Sequence, residues 1–120
     1  MLNGNLGSDT IDGGTGGDTV RGGQGDDVIT GGVGSDWLSG DLGNDTLTGG
    51  TGGDIFHGMT GIGVDRIVDF NYAEGDRVLL DAGTTWSAAQ VGADTVVTVS
   101  GGQMVLVGVQ LNSLASGWIV

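Results

Sequence analysis

The 120-residue chain has 28 glycines, no proline and no cysteine, and its 15 acidic residues against three basic ones leave a formal charge of −12. That length makes one domain or one module of a larger protein. The charge disfavours nucleic acid and anionic membranes as partners, the lack of cysteine removes disulfides and thiolate metal sites, and no apolar run approaches the roughly 20 residues of a membrane-spanning helix.

After a short lead-in, Met1-Leu2-Asn3, residues 4–57 repeat every nine residues, in the form G-x-x-G-x-D-x-hydrophobic-x. A fixed short period is the signature of a stacked architecture. The first position is always glycine (Gly4, Gly13, Gly22, Gly31, Gly40, Gly49), and so is the fourth (Gly7, Gly16, Gly25, Gly34, Gly43, Gly52). The sixth is always aspartate: Asp9, Asp18, Asp27, Asp36, Asp45 and Asp54. The eighth is always apolar: Ile11, Val20, Ile29, Leu38, Leu47 and Phe56. The lead-in joins the repeats so directly that the chain reads as a module cut from a longer protein. No amino-terminal signal peptide is visible.

Glycine at this density is useful only where the backbone needs positive φ or a close approach. Between such turns only three residues remain, as in Thr46-Leu47-Thr48, so each strand is short and buries its middle side chain. Such a strand is stable only when stacked on copies of itself, which makes the fold a solenoid with one continuous apolar column.

Stacking also aligns one carboxylate per repeat at the strand spacing of roughly 4.8 Å. Arg21, Arg66 and Arg77 are too few to neutralise them, so a cation must. Carboxylates and turn carbonyls form an oxygen-only donor set, which suits calcium better than magnesium. With His57 the single histidine, zinc and copper are disfavoured. The expected carbonyl donors are the turn glycines and their neighbours: Gly13, Gly14, Gly16, Gly22, Gly23, Gly25, Gly31, Gly32, Gly34, Gly40, Gly43, Gly49, Gly50 and Gly52. The competing reading, a disordered Gly-Asp linker, fits the calcium-free chain better than the loaded one.

The repeat resembles the RTX (repeats-in-toxin) nonapeptide of bacterial type I secreted proteins. That resemblance implies an all-β fold, a right-handed parallel β-roll with two nonapeptides per coil, binding Ca2+ between a repeat and the next but one. Asp9, Asp27 and Asp45 would then share one edge, and Asp18, Asp36 and Asp54 the other. A degenerate seventh unit at residues 60–68 carries Asp65 and could extend either edge. The count is four interior ions, with a fifth at Asp65.

After His57 the phase is lost. The stretch Val64 to Leu80 (VDRIVDFNYAEGDRVLL) reads as strand, acidic turn and strand. It is similar to the segment that follows RTX repeats, and Asp69 and Asp76 are candidates to complete a terminal calcium site. Beyond Thr84, Asp94 to Ser100 and Gln103 to Val109 alternate around Gly101-Gly102, a hairpin signal. Leu111, Leu114, Trp118 and Ile119 remain to cover the open end of the solenoid. We therefore expect a β-roll over residues 1–68 and an antiparallel β cap over residues 69–120. By resemblance, the cap doubles as the type I secretion signal, which implies the secretion machinery and a parent N-terminal domain as partners and an extracellular location.

No catalytic residue is indicated. His57, at a ninth position, is expected to face solvent, and no serine lies in a nucleophile elbow. Trp37 and Trp86 are aromatic platforms for a sugar, so a polysaccharide-binding module of a secreted carbohydrate-active enzyme is the alternative function.

Overall fold

The computed structural model describes residues 2–58, 63–81, 83–99 and 101–120. Its strands are β1 (Leu2–Asn3), β2 (Thr10–Asp12), β3 (Thr19–Arg21), β4 (Val28–Val33), β5 (Trp37–Ser39) and β6 (Thr46–Thr51). They continue with β7 (Ile55–Gly58), β8 (Gly63–Ile67), β9 (Arg77–Leu80), β10 (Trp86–Val91), β11 (Asp94–Val99) and β12 (Gly102–Leu106). Two short 3₁₀ turns, Tyr72–Glu74 and Leu111–Ser113, are the helical content among the described residues.

Alternate strands go to alternate sheets. One sheet runs β1-β3-β5-β7-β9, all parallel. The other starts β2-β4-β6-β8, also parallel, and continues through β12, β11 and β10. A coil is therefore two nonapeptides, and the molecule is a parallel β-roll.

The eighth-position side chains meet between the sheets. Val20, Leu38, Phe56 and Val78 stack in register from one side; Ile11, Ile29, Leu47 and Ile67 stack from the other. All but Ile11, on the outermost amino-terminal coil, are fully buried. Each such residue contributes about 1.5–3 kcal/mol relative to exposure, so this single file holds the thin solenoid together.

The two kinds of glycine constraint separate by position. Gly32, at a second position, has φ 101°, which a side chain tolerates poorly. Gly22, at a first position, has no such angle, but a Cβ there would lie 2.5 Å from Asp27 Oδ2 and 2.8 Å from the Gly40 carbonyl oxygen.

Both sheets are finished by the carboxy-terminal segment. The β11–β12 hairpin is antiparallel, but β12 joins the roll in parallel, with Met104 beside Asp65 and Leu106 beside Ile67. The cap therefore prolongs one sheet in its own plane. The other sheet ends at β9, whose edge is taken by the last residues: Val78 N–H donates to Trp118 O at 2.8 Å and Val120 N–H to Val78 O at 2.8 Å. Trp118 packs edge-on against Phe70 and Trp86.

Candidate metal centres

The turns between the sheets line up their aspartates in two ladders. On one edge Asp9 N–H donates to Asp27 Oδ1 and Asp27 N–H to Asp45 Oδ1, each at 2.8 Å, and Asp45 N–H to Asp65 Oδ1 at 3.1 Å. On the other, Asp18 N–H donates to Asp36 Oδ1 at 2.8 Å, Asp36 N–H to Asp54 Oδ1 at 2.9 Å, and Asp54 N–H to Asp76 Oδ1 at 2.8 Å. The alternation expected from a two-repeat coil is thus present, and Asp65 and Asp76 extend one ladder each. The first residues of the degenerate repeat, Thr60 to Ile62, lie outside the described residues.

One carboxylate oxygen of each aspartate is used in this way, and the other is not. Oδ2 of Asp9, Asp18, Asp27, Asp36, Asp45 and Asp54 is buried with no hydrogen-bond partner. Burying an uncompensated charge costs several kcal/mol, so these six atoms, three on each edge, are where the chain would hold a cation. Each Oδ2 faces the first glycine of its own repeat. At Gly4, Gly13, Gly22 and Gly31 a carbonyl of the next coil converges on the same space: Gly22 O, Gly31 O, Gly40 O and Gly49 O, each 2.6–2.8 Å from where a Cβ would stand. Four cradles therefore combine a carboxylate oxygen with a carbonyl oxygen. Among the described residues, no cluster gathers three acidic, histidine or cysteine side chains, so carbonyls must complete any coordination sphere here. That hard-oxygen chemistry fits calcium.

The electrostatics agree. Burial, reinforced by the neighbouring Asp65 charge, pushes Asp45 up to about 8. Burial, with Asp76 and Asp36 nearby, pushes Asp54 up to about 7. Burial likewise pushes Asp65 up to about 6, and it raises Asp27, Asp36 and Asp76 as well. Without a counter-ion the neutral form of Asp45 is favoured at neutral pH, and burial moves the other five carboxylates in the same direction.

Asp69 and Asp76 are arranged differently. Asp69 accepts from Gly49 N–H with Oδ1 and from Gly50 N–H with Oδ2, each at 2.8 Å. Asp76 accepts from Asp54 N–H with Oδ1 and from Asn71 N–H with Oδ2, each at 2.8 Å. Each oxygen of these two carboxylates thus accepts one backbone amide, unlike the ladder aspartates whose Oδ2 has no partner.

His57 does not face solvent as expected. Its side chain is 11% exposed; the ring stacks on Trp37 at 5.0 Å and Nε2 lies 2.7 Å from Asp81 Oδ1. The covering arises because ninth-position side chains stand in register, Ser39 beside His57, and Asp81 follows β9. The cluster continues through Ser39, whose Oγ donates to Asp41 Oδ1 at 2.7 Å, to Arg21, whose Nε and Nη2 grip Asp41 at 3.0 and 2.9 Å. The sequence offered one sign of it: Asp41 replaces glycine at a second position and holds φ 65°.

Two parallel sheets joined by glycine-aspartate turns, with a partnerless carboxylate oxygen at every turn, define a cation-binding β-roll. The profile of the RTX calcium-binding nonapeptide repeat matches residues 3–38 and 30–67, and the chain belongs to that family. Among solved structures it is similar to the AlgE6R3 subunit from the Azotobacter vinelandii mannuronan C5-epimerase, at 27% identity and TM-score 0.72, covering 95% of this chain and 78% of that one. It also shares its fold with the extracellular lipase LipA from Serratia marcescens, at 16% identity and TM-score 0.54, covering 95% of this chain and 38% of the lipase. No curated protein matches the sequence.

Proposed function

We propose that the chain is a calcium-driven folding module at the carboxy terminus of a type I secreted bacterial protein. The observation that carries this is the set of six buried Oδ2 atoms without partners. In this reading the ligand set is Asp9, Asp18, Asp27, Asp36, Asp45, Asp54 and Asp65 with turn carbonyls, among them Gly22, Gly31, Gly40 and Gly49. Four ions sit between consecutive ladder aspartates, and a fifth between Asp45 and Asp65. Asp69 and Asp76 belong to the cap, because their oxygens are committed to amides. Residues 1–68 form the ion-binding module, and residues 69–120 form the cap, which lends β9 to the last coil.

Calcium supplies the positive charge that lets the carboxylates be buried ionised. Because the cradles exist only in the folded chain, binding free energy becomes folding free energy. At low cytosolic calcium the repeats stay loose, since carboxylates repel and glycine-rich backbone is costly to order. A loose chain can thread a secretion channel. Extracellular calcium matches modules with affinities of about 10⁻⁴–10⁻³ M, and folding there opposes return. No helix among the described residues is long and apolar enough to cross a membrane.

The test is far-ultraviolet circular dichroism through a calcium titration, with magnesium at equal ionic strength as control. A cooperative, calcium-specific gain of β signal supports the proposal. A β signal complete in chelator removes the switch.

A second reading is favoured by one surface. Arg21, Trp37, His57 and Arg77 all project from the outer face of the five-stranded sheet, and the similar epimerase subunit comes from an enzyme of mannuronan. Arg21 is held by Asp41 and His57 by Asp81, so the part of this face that would take a glycan is the Trp37 ring, as a stacking platform. Saturable binding of an oligouronate to calcium-loaded protein would establish it.

A further inference from the structure

The seven-stranded sheet ends in β10, and this edge differs from the rest of the surface. From Thr84 to Ala93 the chain has no charged side chain, in a protein of net charge −12. β10 is six residues long, pairs on one side with β11 only, and is exposed along nearly its whole length. It has neither lysine, proline nor a bulge, the usual protections of an open edge. A free edge offers a row of main-chain donors and acceptors, so what covers it is another strand.

The side chains point to which strand. Trp86, Ala88 and Gln90 share the core-side face, opposite Val99, Val97 and Thr95, while Ser87, Ala89 and Val91 share the solvent face. Trp86 is 43% exposed at one end of the strand. At the other end a depression of about 280 Å3 is lined by Gln90, Gln110, Leu111 and Asn112. Gln90 is fixed there: its Nε2 donates to the Asp94 carbonyl at 2.8 Å and its Oε1 accepts from Leu111 N–H at 2.7 Å. Projection and depression lie two residues either side of Ala88.

We propose that the calcium-loaded protein forms a two-fold dimer by antiparallel pairing of β10 with β10 of a second copy, centred on Ala88. In this register Trp86 of each copy stands opposite Gln90 of the other, and its indole covers the depression beside it. The interface is isologous, so it closes at two copies. Ser87 of one copy stands directly opposite Ala89 of the other on the solvent face, where directly opposed charges act most strongly. Of the ways two such acidic molecules can meet, this one brings uncharged backbone together and leaves the aspartate ladders on other faces.

The experiment is sedimentation velocity of the full chain in calcium, over a concentration series. The wild type is expected at about twice 11.9 kDa. S87D/A89D sets like charges opposite each other and is expected to sediment as a monomer, with unchanged circular dichroism and calcium midpoint. S87K/A89D sets an ammonium opposite a carboxylate in both halves and is expected to remain dimeric. A monomeric wild type at all concentrations would overturn the proposal. So would an S87D/A89D dimer, or an open series of polymers, which would mean that β10 pairs with the β2 edge at the far end of the same sheet.

Discussion

The backbone of Asp27 donates to the side chain of Asp45, eighteen residues on, at 2.8 Å, while Oδ2 of both residues is buried without a partner. One oxygen of each carboxylate therefore registers a coil against the preceding one, and the other is left for an ion. Register and ion binding are tied through one functional group, and the substitutions below separate them.

Asp36 lies between two cradles and Asp9 borders one. Asp36→Ala should raise the calcium midpoint of folding by about tenfold or more, since each lost charge-assisted contact costs about 1.5–3 kcal/mol. Asp9→Ala should raise it by roughly half as much on a logarithmic scale. Equal midpoints in parallel titrations would contradict the paired ladders.

Gly22→Ala places a methyl group between Asp27 Oδ2 and the Gly40 carbonyl. It should abolish binding at one site and shift the midpoint strongly. Gly92→Ala meets nothing within 4 Å, although its φ is 61°, and should cost only about 1 kcal/mol. Calorimetric stoichiometry should fall by one ion in the first variant and stay constant in the second.

Acidity should partly replace calcium. Asp45, Asp54 and Asp65 are pushed up to about 8, 7 and 6 in the folded chain, against roughly 3.9 when unfolded. The folded state then binds more protons, so its metal-free stability is greatest below pH about 4 and falls as pH rises through 6 to 8. In chelator the β signal should be larger at pH 5 than at pH 8. In saturating calcium the difference should nearly vanish, and binding at pH 7 should release protons.

Asp69→Asn leaves Gly49 and Gly50 with one good acceptor instead of two. It should lower stability in calcium by about 1–2 kcal/mol without changing the number of ions bound. Loss of an ion would return Asp69 to the ligand set.

Removing residues from Thr84 onward uncovers β8 and β9 together and should greatly weaken calcium-induced folding. Trp118→Ala alone, which empties a buried indole site between Phe70 and Trp86, should cost about 3 kcal/mol. Unchanged calcium-induced folding of the truncated chain would remove the capping role.

The nine-residue period made the solenoid and its apolar column legible, and the resemblance to RTX repeats supplied the two-repeat coil and with it both aspartate edges. The apolar column from Val20 to Phe56 could be written down position by position. The cap was legible only as a hairpin. That β12 joins β8 in parallel, and that Trp118 to Val120 close β9, depend on contacts more than 35 residues apart that no local pattern encodes. The two amide contacts of Asp69 were not legible for a related reason: an aspartate that ligates and one that caps two amides look alike until their partners are placed. His57 departs from its predicted exposure because Trp37 and Asp81 reach it from neighbouring strands.

In each ladder the amide of one coil finds its acceptor on the coil that follows, and the series ends on Asp65 and Asp76, next to the cap. Each rung of the ladders therefore needs a carboxylate that is made after the amide it receives. A ribosome delivers the amide first, so no rung closes until the coil after it has left the ribosome, and each coil waits for its successor.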